Sequence, residues 1–354
     1  MDICVISFTK KGLLLSDQLA NIWSGEPLII YTKYSAAWDA ETVHPVTLVE
    51  DTIEKWAKDR MEETQILLFI GACGIAVRAI APNLTDKLHD SPVLVMDETG
   101  AYVIPILSGH MGGANEIAMR IANAIGAVSV ITTATDLEHK FAVDLFAKRN
   151  GLIIVNKDGI AKVSSKVLED KQITVSVEAG HLSKCSRLPD GVHIIEYPPK
   201  QHADIVITTK KDHFDSDILL KPKEYVIGMG CKRGKEADEI EEFITRIMKE
   251  TGIAAEQILA LASIDRKKDE KGLLFWSRKY HVPFITYTAE QLKEMEGEFH
   301  ASAFVMEKAG VDNVCERAAL KACKDTGKII YEKHAENGMT IAIAKREWRI
   351  TFDE

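Results

Sequence analysis

Short apolar runs recur along the first third of the chain, at Ile3–Ser7, Leu28–Tyr31, Ile66–Ile70 and Val128–Thr132, with helical stretches between them. That alternation predicts a parallel sheet flanked by helices. The strongest helical period runs over Ala114–Ile125, where Ile117, Ala118, Ile121, Ala122 and Ile125 share one face and Gly126 is placed to end the helix. From about Asp136 to Pro222 the pattern is less regular, with turn signals at Asn156-Lys157-Asp158-Gly159, Leu188-Pro189-Asp190-Gly191 and Pro198-Pro199. Regular alternation resumes at Tyr225-Val226-Ile227-Gly228. It continues through an acidic-faced helix from about Glu236 to Glu250 and reaches Ile341-Ala342-Ile343. The expectation is a multi-domain α/β protein, with Rossmann-like N-terminal and C-terminal α/β units over residues 1–135 and 223–354 joined by a smaller middle domain over 136–222. No repeat of solenoid or propeller length is present.

Length and composition agree with this picture. The chain has 354 residues, enough for two or three domains, and its 46% hydrophobic and 27% charged residues are those of an ordinary globular protein. A formal charge of −9 and the lack of a long Lys/Arg run speak against a nucleic-acid partner and an anionic membrane surface. No apolar run approaches the roughly 20 residues needed to span a bilayer, and the N-terminus reads as a first strand, so the expected location is the cytoplasm. Cys4, Cys73, Cys185, Cys231, Cys315 and Cys323 are dispersed without a Cys-x-x-Cys pair and read as reduced thiols. The histidines show no ligand spacing either, so no protein-bound metal or other cofactor is expected, and any metal would arrive with the substrate.

The richest stretch chemically is Ser108-Gly109-His110-Met111-Gly112-Gly113-Ala114-Asn115, which follows a strand over Tyr102–Ile106 and opens onto the Ala114 helix. A glycine loop meeting a helix N-terminus suits a phosphate or carboxylate, and His110 is placed to act as a base near neutral pH. The alternative is a tight turn capped by Ser108 or Asn115. A second strand-to-helix switch spans Ile66 to Arg78, where Gly71 and Gly74 frame the helix start and Pro82 stops it. If both loops face one crevice beyond the strand ends, Arg78 is a carboxylate clamp; otherwise it is half of a structural ion pair. Cys73 in the same loop reads as packing. Asp97-Glu98-Thr99-Gly100 joins strands Val93–Met96 and Tyr102–Ile106 as a hairpin turn, yet Asp97 or Glu98 becomes an acid–base candidate if the turn is buried. Thr133 and Asp136 close a strand with groups able to bind a polar ligand or cap a helix. Gly228-Met229-Gly230-Cys231-Lys232-Arg233-Gly234 resembles a dinucleotide fingerprint with its third glycine one residue late and Asp265 too distant, so Gly230, Lys232 and Arg233 suit carboxylates better. Glu316 opens a capped helix, where the dipole alone would favour it, and Lys333 is expected at a strand end.

Taken in order, Phe69-Ile70-Gly71-Ala72-Cys73-Gly74-Ile75-Ala76-Val77-Arg78, Asp97-Glu98-Thr99-Gly100, Ser108 to Asn115, Ile131 to Asp136, Ile227 to Gly234, Leu261-Ala262-Ser263-Ile264-Asp265, Val314-Cys315-Glu316-Arg317-Ala318-Ala319-Leu320 and Thr340 to Ala344 resemble the cobalt-precorrin-5A hydrolases of anaerobic cobalamin biosynthesis. The likeness covers nearly the whole chain. One departure is Asp90-Ser91-Pro92, where the family often writes Asp-Pro. The resemblance implies a hydrolase that opens the ring A δ-lactone of a cobalt precorrin and releases acetaldehyde, with other enzymes of that route as possible partners. His110 would then be base or proton shuttle, with Asp97, Glu98 and Glu316 as further acid–base candidates. The amides of Gly112 and Gly113 would donate to the oxyanion, and Arg78, Lys232 and Arg233 would anchor carboxylates. Gly71, Gly74, Ser108, Gly109, Asn115, Thr133, Asp136 and Gly230 would line the substrate. Two other classes remain open at this point: a non-catalytic corrinoid carrier, and a nucleotide-dependent reductase that the misplaced glycine disfavours.

Overall fold

The computed structural model describes residues 2–353 apart from 38, 39, 64, 86–89, 110, 111, 134–139, 184–186 and 325. The chain separates into two compact units, Met1–Lys140 and Phe141–Glu354. The first is built on a seven-stranded sheet of order β3-β2-β1-β4-β5-β6-β7. Its strands are β1 (Ile3–Ser7), β2 (Leu28–Thr32), β3 (Val46–Leu48), β4 (Ile66–Ile70), β5 (Val93–Met96), β6 (Tyr102–Leu107) and β7 (Val128–Ser129); its helices are α1 (Lys10–Ile22), α2 (Ile53–Glu62), α3 (Cys73–Ile80) and α4 (Ala114–Ile125). Strands β1 to β5 are parallel, whereas β6 runs antiparallel to β5 and β7 follows β6.

Alternation along each strand decides which helix covers which face. Ile3, Val5, Leu68 and Ile70 pack with Leu19 of α1 and with Ile117, Ala118 and Ile121 of α4, while Cys4, Ile6, Leu67 and Phe69 pack with Trp56 of α2 and with Ala76, Ala79 and Ile80 of α3. Each fully buried Ile or Leu here contributes about 1.5–3 kcal/mol. Helix α4 has the bounds its period predicts, and Gly126 ends it at φ +74°. Strand β7 is shorter than the apolar run that announces it.

The second unit holds two five-stranded sheets. The middle one, order β10-β9-β11-β12-β8, uses β8 (Leu152–Ile154), β9 (Ile173–Val177), β10 (Val192–Ile195), β11 (Ala203–Ile207) and β12 (Ser216–Pro222), with α5 (Val143–Arg149) and α6 (Asp158–Leu168). One reading of this stretch changes: it is regular α/β structure. The turn at Asn156-Lys157-Asp158-Gly159 is present and leads into α6, with Gly159 N donating to Asn156 O at 3.2 Å and Asn156 tied to the backbone of β12; a Cβ on Gly159 would lie 2.2 Å from Asp217 O. Close helix-to-strand packing explains that glycine.

The last sheet, order β15-β14-β13-β17-β16, comprises β13 (Tyr225–Cys231), β14 (Ile258–Ile264), β15 (Phe284–Tyr287), β16 (Lys328–Glu336) and β17 (Met339–Lys345). Helices α7 (Ala237–Thr251) and α8 (Lys271–Lys279) cover one face, and α11 (Cys315–Ala322) covers the other after α9 (Ala289–Lys293) and α10 (Ala303–Ala309). The chain end returns to the middle sheet: Leu182 bridges Ile350, and the rings of His181 and Trp348 stack at 3.7 Å.

Candidate functional site

In the first unit β1 and β4 are sheet neighbours, but the chain leaves β1 into α1 on one face and β4 into α3 on the other. Such a switch point opens a crevice beyond the carboxyl ends of the strands. Gly71 is held there by its N–H donating to Met96 O at 2.9 Å, and a Cβ on it would lie 3.2 Å from Phe8. Helix α3 then starts with Cys73 and Gly74 exposed, and the exposed Arg78 folds back so that Nη1 donates to Gly74 O at 3.1 Å. Thr9 caps α1 by accepting from Gly12 N at 3.1 Å and donates its hydroxyl to Glu98 Oε1 at 2.7 Å, with Lys10 and Lys11 exposed beside it. Sequence reading passed over Thr9, Lys10 and Lys11, although a threonine before a helix at a strand end is a visible cap signal.

Asp97 is spent on its turn. Its Oδ1 accepts from Thr99 N at 2.8 Å and from the Thr99 hydroxyl, and its Oδ2 accepts from Tyr102 N at 2.7 Å. Burial pushes this carboxyl up, but the hydrogen bonds from Thr99, Tyr102 and Ala101 outweigh it and hold it below the usual range.

The Ser108 loop stands at the other edge of the sheet. Because β6 is antiparallel to β5, Leu107 lies opposite Val93, the first residue of β5, while Gly71 follows Ile70, whose partner Met96 is the last. The single crevice expected for the two loops is therefore not formed; the reversal at the Asp97 turn separates them. Ser108 takes φ +53° and donates Oγ to Asp90 O at 2.7 Å. Gly109 and Gly112 are required by contact, since a Cβ on them would lie 2.5 Å from Asn115 Oδ1 and 2.6 Å from Ser108 Cβ. Gly113 caps α4 at φ +85° with open space around it. The buried Asn115 donates Nδ2 to Thr133 Oγ1 at 3.1 Å, so Ser108, Gly109, Gly112, Gly113, Asn115 and Thr133 form one cluster. His110 and Asp136 lie outside the described residues.

In the C-terminal sheet β13 itself is crossed closely by α11. A Cβ on Gly228 would lie 1.8 Å from Cys315 O, and one on Gly230 would lie 2.8 Å from Thr340 Oγ1. The glycine that suggested a nucleotide fingerprint thus serves helix packing. Burial pushes the Cys231 thiol up to about 11. Lys232 and Arg233 are exposed; Lys232 N donates to Gly338 O at 2.8 Å, and Gly234 N donates to Oε1 of buried Glu270 at 2.8 Å.

Glu316, only 2% exposed, is the hub of this edge. Its Oε2 accepts from His300 N at 3.0 Å and from Asn313 Nδ2, while Oε1 accepts from Lys333 N at 2.9 Å and meets His300 Nδ1 at 2.9 Å. Lys333 Nζ and Asn313 Nδ2 both donate to His300 O, at 2.9 and 3.1 Å. Burial pushes the Glu316 carboxyl up, but the Lys333 and His300 amides and the His300 ring prevail and hold it low. Lys333 lies within β16, not at its end. Nothing in the sequence pattern singles out His300, which meets Glu316 only through the fold.

Among the described residues, His202, Asp204 and Asp217 bring ligand atoms together in the middle sheet. The Lys166 ammonium already bridges Asp204 and Asp217 there, with Nζ 2.8 Å from Asp217 Oδ2, so the cluster is a neutralised ion network. A cavity of about 460 Å³ beside Trp348 is rimmed by Lys345 and Arg346. Lys345 is paired to Glu224 at 3.0 Å, and Arg346 donates to the carbonyls of Lys223, Asn150 and Gly151.

Comparison with known proteins gives three matching family models: Cobalamin synthesis G N-terminal over residues 55–136, Cobalamin biosynthesis central region over 141–222, and Cobalamin synthesis G C-terminus over 225–344. The chain is 32% identical to the cobalt-precorrin-5A hydrolase of Priestia megaterium, over 97% of this chain and 94% of that one. It is 32% identical to the cobalt-precorrin-5A hydrolase of Salmonella typhimurium over 78% of this chain and 81% of that one. A solved cobalamin biosynthesis protein G homologue from Sulfolobus solfataricus aligns over 98% of this chain and 97% of its own at 22% identity, with a TM-score of 0.39.

Proposed function

The chain belongs to the cobalt-precorrin-5A hydrolase family, and we propose from that premise that it opens the ring A δ-lactone of cobalt-precorrin-5A and releases acetaldehyde to give cobalt-precorrin-5B. The observation that carries this reading is the match to the Priestia megaterium hydrolase along almost the whole of both chains.

The reaction asks for water at the lactone carbonyl, a donor for the oxyanion, and removal of a proton from the freed alcohol as the carbon–carbon bond breaks. The macrocycle takes the electrons released in that cleavage, and its cobalt comes with it, so the protein supplies binding and proton transfer and needs no cofactor of its own. The substrate carries many carboxylates around a flat apolar ring. Arg78 and its helix N-terminus suit such groups in the first unit, and Lys232 and Arg233 suit them at the C-terminal sheet. His110 is a candidate for the proton transfer at the freed alcohol, and the Gly112 and Gly113 amides are candidate hydrogen-bond donors to the substrate. A cytoplasmic location accords with the free thiols of Cys4, Cys73, Cys231, Cys315 and Cys323.

The test is anaerobic incubation of the purified chain with cobalt-precorrin-5A, trapping acetaldehyde while the product mass is followed. One acetaldehyde per substrate consumed is expected. Tight binding without acetaldehyde would leave a corrinoid carrier instead.

A further inference from the structure

We propose that His300, oriented by Glu316, accepts the proton of the water that attacks the lactone carbonyl. The inference rests on the hydrolase reading above. A loop residue on the surface rarely needs more than one tether, yet His300 is held at its N–H, its carbonyl and its ring, all by the Glu316, Asn313 and Lys333 group. The backbone ties hold the loop, and the bond from the ring to Glu316 additionally fixes the orientation of the imidazole. An ionised buried carboxylate facing Nδ1 selects the tautomer with its proton on Nδ1 and leaves the lone pair on Nε2. That nitrogen belongs to a side chain 59% exposed, with Glu332 Oε2 at 3.7 Å, beyond hydrogen-bond range. A base aimed outward and oriented from behind by a carboxylate is the arrangement that general-base catalysis requires.

The charged groups that face it come from two elements. From α11 come Glu316 and Cys315, whose thiol burial pushes up to about 12 and so keeps neutral, and Arg317, which is committed to Asp312 at 2.8 Å. From β16 come Glu332 and Lys333, the latter placing a cation on the His300 carbonyl. In the step, water gives one proton to Nε2 while its oxygen adds to the lactone carbonyl carbon. The acyl–oxygen bond then breaks, and the departing ring oxygen takes that proton back. One water is consumed and the imidazole returns to neutral.

The experiment uses the full chain with cobalt-precorrin-5A under anaerobic conditions. His300→Ala should lower kcat for acetaldehyde release by about 10²- to 10⁴-fold with KM changed less than about threefold, and added imidazole should restore part of the rate. Glu316→Gln should also lower kcat with KM little changed, measured at a pH where the variant remains folded. Circular dichroism confirms that each variant is folded. A folded His300→Ala with kcat within about twofold of the parent, or a loss that imidazole leaves untouched, overturns the proposal. A parent chain that releases no acetaldehyde overturns the hydrolase reading and this inference with it, whereas an active parent beside an active His300→Ala removes this inference alone.

Discussion

Both units end parallel strands in glycine loops that lead to helices, yet the two edges are finished differently. At the first, Gly71, Gly74 and Arg78 leave backbone and cation open to solvent, and the carboxylates Asp97 and Glu98 serve a turn and a cap. At the second, α11 is pressed onto β13 and a buried carboxylate gathers His300, Asn313 and Lys333 into one network. An open edge of the first kind can bind an anion but holds no side chain rigidly. A closed edge of the second kind spends desolvation to fix one group, which is what proton transfer needs and binding does not.

The largest effect expected from breaking this contrast is that of Glu316→Ala. It strips the acceptor from the His300 and Lys333 amides in a site 2% exposed, so urea unfolding should show a loss of about 3–5 kcal/mol. The pH dependence has a definite sign. The folded carboxyl is held below its ordinary value, so its stabilisation is complete above the unfolded value of about 4.3 and is lost as pH falls through the folded one. Glu316→Gln should flatten the acid limb of the stability curve; an unchanged limb would place the stabilisation elsewhere. Next comes Gly228→Ala, whose Cβ would meet a backbone oxygen at 1.8 Å and should cost about 3 kcal/mol by displacing α11. Gly113→Ala, with open space but φ +85°, should cost only the left-handed penalty of about 1–2 kcal/mol. Equal losses at the two glycines would remove the distinction between a glycine required by packing and one required only by its left-handed φ.

These glycines show what the chain discloses before it folds. Strand and helix positions follow from local periodicity, so β1, β4 and α4 are legible to the residue. The Asp97-Glu98-Thr99-Gly100 hairpin is legible too, and β6 does run antiparallel to β5; what stays hidden is its consequence, that the reversal carries the Ser108 loop away from Gly71, which depends on pairing across the sheet. For the same reason Glu316 could be singled out as a helix-opening carboxylate, while His300, sixteen residues earlier in an irregular stretch, could not be joined to it. The Asn156 turn is legible, but not that Gly159 within it is required by a tightly packed helix start.

The smallest stability effect and the sharpest functional contrast belong to Arg78. Its guanidinium is exposed and, among the described residues, hydrogen-bonds its own helix at Gly74 O, so Arg78→Ala should change the unfolding free energy by less than about 0.5 kcal/mol. If the open edge anchors a substrate carboxylate, the same change should raise KM for cobalt-precorrin-5A about five- to tenfold and leave kcat alone, the signature of binding lost equally from ground and transition states. Lys232→Ala asks the same question of the cation beside the closed edge, where the stem already rests on Gly338. A fall in kcat with KM unchanged at Arg78 would reverse the assignment, since a residue free to swing in solvent would then be acting on the transition state itself.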